Sequence, residues 1–368
     1  MNITLCGYGV VGKGIEQLCK KQKNLNIQHI YVRKEKENLP FFSNDDAIIT
    51  DPKIDIVMEC LNGLEPANTL IRKALQAKKH VITSNKAVIA TYYDEYLKLA
   101  KEHNTTIQVE ACVAGGIPFI DALLKLQRLE PLQGFEGIFN GTSNFILDKM
   151  SKNNFSFSEA LQKAQINGYA EKDPTNDIEG IDVWYKTKIA NAIAYQSKIY
   201  DLPQPLGISK IQIEDIQMAK AKHKTIRHLA LSKRVGKSFC SIIAPAFLDS
   251  SSYLANIPDN YNAQILHAES FTNLGYFGQG AGQLATAQAM MQNALDVIDN
   301  TVRCIQTKEN LAFKNDLIKE NWIIRSNKDL KLPFSKKEGI YYRVKSQDLT
   351  LLESIKEQDQ NAMIALWR

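Results

Sequence analysis

The sequence predicts an α/β protein: a parallel sheet covered by helices on both faces, followed by a second lobe of mixed α+β character. Three observations carry that reading. Short apolar strands alternate with amphipathic helices over residues 1–113, as in a doubly wound sheet. A glycine-rich turn, Gly7-Tyr8-Gly9-Val10-Val11-Gly12, follows the first strand and opens the first helix. After Pro118 the alternation gives way to a helix-rich stretch containing a dense charged motif at residues 168–186.

The elements follow in order. Ile3–Cys6 reads as a buried strand, and Val11, Ile15 and Leu18 mark the helix behind it. Strands are expected at 27–32, 54–59, 80–83 and 107–112, with helices around 70–75 and 92–101. A helix over 119–129 leads through Pro131 to a strand at 135–140. The chain then reads as helical to about residue 232, with strands at 240–244 and 263–270. Beyond about residue 310 lies a charged tail with strand-like pieces at 322–324 and 340–344.

Composition narrows the function classes. The 368 residues suffice for two lobes, and 44% hydrophobic with 23% charged residues is ordinary for a globular chain. The net charge of +5 is spread along the chain, which gives nucleic-acid binding little support. Six scattered cysteines without a C-x-x-C pair read as free thiols in a reducing, cytoplasmic setting. The first strand begins at Asn2, leaving no room for a signal peptide, and no apolar run is long enough to span a membrane.

The glycine turn sits in the strand–turn–helix context of a dinucleotide site, so the sheet is expected to be Rossmann-type. Gly7 permits the tight turn, Gly9 lets a pyrophosphate approach the backbone, and Gly12 allows close helix–strand packing. Val10 and Val11 open the helix whose N-terminus faces the phosphates. Arg33, after the second strand, is placed to pair with a 2′-phosphate and favours NADP, while Glu35 leaves NAD open.

Ligands of such sheets bind beyond the carboxyl ends of the strands. Three strand-end loops are rich in small and polar residues: 59–63 with Asn62, 81–86 with Ser84 and Lys86, and 110–118. Cys112 in the last loop raises the alternative of a thioester-forming aldehyde dehydrogenase, but no histidine in these loops supplies a base. A small buried side chain is the simpler reading.

Residues 168–186 crowd Glu171, Asp173, Asp177, Glu179, Asp182 and Lys186 around one turn and the following helix. Asp182 and Lys186 are four apart and share a helix face. By spacing alone they read as a helix ion pair. An ammonium at the edge of a core is also suited to protonating a developing alkoxide.

The motifs together resemble the homoserine dehydrogenase family. The resemblance rests on G-Y-G-V-V-G (7–12), S-N-K (84–86), E-A-C-V-A-G-G-I-P (110–118) and F-N-G-T-S-N (139–144). It continues through G-Y-A-E-K-D-P-T-N-D-I-E-G-I-D (168–182), Lys186 and G-Q-G-A-G (278–282), covering roughly residues 1–305. It implies NAD(P)-dependent interconversion of L-homoserine and L-aspartate 4-semialdehyde, a step towards threonine, methionine and isoleucine. By position, Lys186 is the implied proton donor, supported by Asp182 and Lys86. Glu171, Thr142, Tyr169 and Asp177 are the implied substrate pocket.

Gly282 joins Gly7, Gly9, Val10, Val11, Gly12, Arg33, Asn62, Ser84 and Lys86 as cofactor-binding candidates. The family's monovalent cation, typically sodium, implies ligands on Glu110, Val113, Gly115 and Ile117.

The implied architecture is a discontinuous nucleotide domain (1–130 plus about 283–310), a dimerisation region (131–145 plus about 256–282) and a substrate and catalytic domain (146–255). A homodimer acting on a small amino-acid substrate follows from it, with no nucleic-acid or membrane partner. Leu284 stands where the family commonly has proline, and residues 311–368 are short for the amino-acid-sensing ACT domain of many members. A nucleotide-sensing protein with a disabled site is a third reading, opposed by the complete acid–base set.

Overall fold

The computed structural model describes residues 1–32, 42–43, 45–308 and 311–368. Arg33, Lys34 and Glu35, on which the choice between NAD and NADP turned, lie outside the described residues. The chain forms two compact units. The first comprises Met1–Leu129, Lys188–Ile199 and Gln279–Glu309, and the second Glu130–Thr187, Tyr200–Gly278 and Asn310–Arg368.

The first unit is built on six strands: β1 (Asn2–Cys6), β2 (Asn26–Tyr31), β3 (Phe42–Ser43), β4 (Ile56–Glu59), β5 (His80–Thr83) and β6 (Ile107–Gln108). They lie in the order β3-β2-β1-β4-β5-β6, every pair parallel. This is the Rossmann order, with the chain reversing direction across the sheet beside β1. Ile3, Leu5, Ile56, Met58 and Ile82 on one face and Thr4, Val57 and Val81 on the other are all buried, as parallel strands covered on both faces require.

Helix Gln283–Ile298 belongs to this unit. It packs on helix Val10–Cys19 so closely that a Cβ on Gly14 would stand 2.9 Å from the Ala287 Cβ. Helix Lys86–Glu102 begins earlier than apolar periodicity marks, because Asn85 caps it by accepting from Val88 N at 3.3 Å. The expected strand at 107–112 stops at Gln108 and gives way to a tight turn at Glu110–Cys112. There Glu110 turns its carboxylate onto the N–H groups of Ile120 (3.0 Å) and Asp121 (2.7 Å), at the start of helix Phe119–Leu126.

The second unit carries β7 (Gly134–Ile138), β8 (Lys224–Val235), β9 (Ser238–Asp249), β10 (Tyr261–His267), β11 (Leu274–Gln279) and β12 (Ala312–Phe313). It continues with β13 (Glu320–Arg325), β14 (Ser335–Glu338), β15 (Tyr341–Gln347) and β16 (Met363–Trp367). The sheet order is β11-β10-β7-β8-β9-β16-β13-β15-β14, with β12 also on β9. β16 and β12 run parallel to β9, whereas β7–β8, β8–β9 and β13–β15 are antiparallel, so the sheet is mixed.

Two expectations are corrected here. Residues 224–232, read as the end of a helical stretch, open β8. From Ile226 to Ser232 this strand is buried on both faces and so shows no alternation. Residues 311–368, read as a charged tail with strand-like pieces at 322–324 and 340–344, extend the same sheet, and the two pieces fall on β13 and β15. Trp322, Ile324, Ile364 and Leu366 enter one core cluster, and Ile323, Met363 and Ala365 enter another on the opposite face. Charged residues in the connecting turns mask this two-sided pattern.

Candidate active site

The glycine turn of the first unit is shaped for a phosphate. Gly7 is in the left-handed region at φ 104°, and its N–H donates to Tyr31 O at 3.0 Å. A Cβ on Gly12 would stand 2.2 Å from Gly7 O, so packing alone demands glycine there. A Cβ on Gly9 meets nothing within 4 Å, so protein packing does not explain that glycine. Gly9 caps helix Val10–Cys19 without a side-chain hydrogen bond, and no acid lies in the first turn. Val10 is exposed and Val11 half-buried at this end. Uncapped N–H groups behind an open glycine fit a pyrophosphate.

Asn62 is exposed after β4; Ser84 and Lys86 are half-buried after β5, with Lys86 opening its helix. Gly282, at φ 128°, is exposed at the start of helix Gln283–Ile298. Between the two loops Glu59 is fully buried, and desolvation pushes its carboxyl up to about 7. Cys112 is buried, and burial pushes its thiol well up. Its Sγ donates to Thr83 O at 3.3 Å, the environment of an inert packing cysteine rather than a nucleophile.

The loop after β6 runs through Ala114 and Gly115, both at positive φ. Desolvation pushes the Glu110 carboxyl up to about 8. Glu110 O accepts from Val113 N at 3.2 Å, and Ile117 O accepts from Phe119 N at 2.7 Å. Each carbonyl keeps a second lone pair, so hard oxygen donors remain for a cation. Val113 and Ile117 are buried. Among the described residues no group of three His, Cys, Asp or Glu side chains could hold a metal, so any cation here would rest on main-chain oxygens.

In the second unit, helix Ile181–Ala194 carries Asp182 and Lys186, 7% and 8% exposed. Lys186 Nζ is 2.7 Å from Asp182 Oδ2 and donates to Phe139 O at 2.6 Å. Two of the three ammonium protons are thereby engaged. Asn140 completes the group. Its Nδ2 donates to Asp182 Oδ2 (2.9 Å) and Asp177 Oδ1 (2.7 Å), while its Oδ1 caps helix Gly141–Asn153 by accepting from Ser143 N at 2.7 Å. Thr142 Oγ1 donates to Tyr169 O at 2.5 Å, joining that helix to the charged turn. The Tyr169 ring is edge-on to Phe145 at 5.0 Å. Glu171 is exposed on the same turn, where Gln165 Nε2 donates to its carbonyl at 3.2 Å.

Gly180, at φ 79°, lets the chain turn into the Asp182 helix directly over His228. His228 Nε2 donates to Leu206 O at 3.0 Å, and burial pulls the imidazole down to about 4. Thr142, Tyr169, Asp177, Asp182 and Lys186 are thus linked through Asn140, Phe139 O and one backbone contact. Asn140 and His228 were given no role from sequence. An Asn before Gly-Thr-Ser at a helix start is a capping signal, but its donors to two carboxylates depend on tertiary structure.

A parallel sheet in Rossmann order with an open glycine turn defines a dinucleotide-binding protein, and the second unit carries a buried lysine–aspartate pair. Comparison with known families agrees. The family model described as homoserine dehydrogenase, NAD binding domain, matches residues 7–110, and that described as homoserine dehydrogenase matches 118–295. Homoserine dehydrogenase of Pseudomonas aeruginosa is 31% identical over 365 residues, covering 95% of this chain and 82% of that protein. The Bacillus subtilis enzyme is 30% identical, covering 100% and 90%. A crystal structure of a homoserine dehydrogenase from Thiobacillus denitrificans superposes with a TM-score of 0.87 at 25% identity, covering 100% of this chain and 98% of that one. A hyperthermophilic archaeal homoserine dehydrogenase mutant in complex with NADPH gives 0.71 at 25% identity, covering 82% and 98%.

The chain belongs to the homoserine dehydrogenase family. It is an oxidoreductase acting on CH–OH with a nicotinamide cofactor, and the thioester-forming alternative is not favoured. Among the described residues no helix is long and apolar enough to cross a membrane.

Proposed function

We propose that Lys186 is the proton donor when L-aspartate 4-semialdehyde is reduced to L-homoserine. The carrying observation is its ammonium, buried and held by Asp182 Oδ2 at 2.7 Å and Phe139 O at 2.6 Å. The nicotinamide, when bound, supplies hydride to the aldehyde carbon. Lys186 stabilises the negative charge growing on oxygen and hands it a proton. Asp182 orients the amine, and Asn140 holds Asp182. Glu171 and Asp177 meet the substrate ammonium, Thr142 and Tyr169 line the same pocket, and Lys86 meets anionic oxygen.

The cofactor is held by Gly7, Gly9, Val10, Val11 and Gly12 on its pyrophosphate, with Asn62, Ser84, Lys86 and Gly282 beside it. Arg33 reads a 2′-phosphate, favouring NADP. A monovalent cation, sodium as the family resemblance implies, rests on main-chain oxygens of Glu110, Val113, Gly115 and Ile117 and orders that loop. The working form is a cytoplasmic homodimer paired through the β7–β10–β11 part of the second sheet, in the route to threonine, methionine and isoleucine.

The test is aldehyde-dependent NADPH oxidation by the Lys186→Ala variant. Turnover should vanish while NADPH affinity is kept. Parental turnover in the variant would refute the assignment.

A further inference from the structure

We propose that Glu59 is a positioning residue for the nicotinamide end of the cofactor, its carboxylate tying the loops after β4 and β5 into one frame. The inference rests on the cofactor placement proposed above. In a doubly wound sheet the strands beyond β1 on the side away from β2 receive the second half of a dinucleotide, and here those strands are β4, β5 and β6, the first two carrying the loops in question.

Glu59 is the last residue of β4, and both its side-chain oxygens are used. Oε1 accepts from Leu61 N at 2.7 Å, and Oε2 accepts from Thr83 Oγ1 at 2.5 Å. Its own carbonyl accepts from Ser84 N at 3.1 Å. The circuit then closes. Thr83 Oγ1 accepts from Asn85 N at 2.9 Å, and Asn85 Nδ2 donates back across to Gly63 O at 2.8 Å. Leu61 and Gly63 flank Asn62, while Thr83 and Asn85 flank Ser84. Asn85 is also the cap of the helix that begins at Lys86. Every cofactor candidate on these two loops is therefore adjacent to a residue in the circuit.

The circuit as it stands uses an ionised acid. A carboxylate only accepts, and here both oxygens face donors; a proton on Oε1 would oppose Leu61 N, and one on Oε2 would make Thr83 Oγ1, which already accepts from Asn85 N, turn from donor to acceptor. A fully buried carboxylate is costly, and desolvation holds this one near neutrality, at about 7. The titratable groups around it are Cys6 on β1, Cys60 in the following loop, Cys112 in the turn after β6 and Tyr96 on helix Lys86–Glu102. Burial pushes all four upward, so they stay neutral where Glu59 titrates. Lys86 and Glu110 act on Cys112 from the same neighbourhood. As pH falls through about 7 the frame loses an acceptor and the nicotinamide loops slacken.

The experiment is the Kd of NADH and of ADP-ribose, measured by fluorescence titration from pH 5.5 to 9 in the parent, Glu59→Gln, Thr83→Val and Thr83→Ser. NADH avoids the titrating 2′-phosphate, and ADP-ribose lacks the nicotinamide. Parental NADH binding should weaken as pH drops through about 7 while ADP-ribose binding stays level. Glu59→Gln should bind NADH about tenfold more weakly at pH 8.5, the loss of one charge-assisted hydrogen bond, and show no inflection. Its KM for NADPH should rise more than its kcat falls. Thr83→Val should move the inflection upward and Thr83→Ser restore it, which keeps the test open if Glu59→Gln does not fold.

A level parental profile, or an unchanged inflection in Glu59→Gln or Thr83→Val, would overturn the inference. Asn62→Ala and Ser84→Ala separate the two layers. If neither weakens NADH, the cofactor placement itself fails; if they do and Glu59→Gln keeps the inflection, only the role of Glu59 fails.

Discussion

Lys186 Nζ lies 2.7 Å from Asp182 Oδ2, one helical turn earlier, and both residues are buried. An exposed pair at this spacing contributes only a few tenths of a kcal/mol. Burial changes its meaning, because removing one partner leaves a buried charge uncompensated. Asp182→Asn should therefore lower kcat by about a hundredfold, within the range of general acid–base effects, with little change in NADPH affinity. Steady-state kinetics at saturating NADPH check this. Lys186→Arg should not rescue Lys186→Ala, since guanidinium is a far weaker acid.

Asn140 does two jobs that substitution can separate. Asn140→Ser keeps an oxygen for Ser143 N but removes the amide donors to Asp177 and Asp182. Stability should be nearly unchanged while kcat falls about tenfold through misplacement of Asp182. Asn140→Ala should lose both, with about 1 kcal/mol of stability as well. Denaturant melts read alongside kinetics distinguish the two.

Two glycines of the turn should fail in different ways. Gly9→Ala meets open space and should fold normally, yet bind NADPH at least about tenfold more weakly as the pyrophosphate loses its approach. Gly12→Ala drives a methyl to 2.2 Å from Gly7 O and should destabilise the first unit itself. Thermal melts without cofactor, followed by binding titrations, would show a normal melt only for Gly9→Ala.

His228 should make the protein acid-sensitive. Its folded value is held down to about 4 by burial, below the ordinary value of 6.5, so the unfolded chain binds the proton more tightly. Its stabilising contribution is complete above about 6.5 and is lost as pH falls towards 4, at up to about 1.4 kcal/mol per pH unit. His228→Gln should flatten the fall in unfolding free energy between pH 6.5 and 4.5. An unchanged slope would assign the acid sensitivity to other groups.

The C-terminal segment should prove structural. Trp322 is fully buried and donates to Gln347 O at 2.8 Å, so Trp322→Ala should cost about 3–5 kcal/mol. Removing residues 311–368 would strip β16 and β13 from the edge of β9 and expose both core clusters. Urea melts of Trp322→Ala and solubility of the truncated chain test this.

What the sequence alone determined is local or periodic. Glycines at 7, 9 and 12 directly after the strand Ile3–Cys6 announce a phosphate turn: Gly7 takes positive φ, Gly12 packs against Gly7 O, and Gly9 faces open space. The alternation of short strands and helices announces the parallel sheet, and the motif at 168–186 names the charged residues. Only the tertiary structure decided what those charges touch. Asp182 and Lys186 are an ordinary helix pair until Asn140 and Phe139, more than forty residues away, bury and orient them. Glu59 is the end of an apolar strand until Thr83 and Leu61 donate to it. β8 escaped notice, and the C-terminal strands showed only in pieces, for a related reason: two-sided burial erases alternation, and the partners that bury them are distant in the chain. Spacing reports what one segment prefers; pairing, desolvation and proton affinity belong to the surroundings that the folded chain assembles.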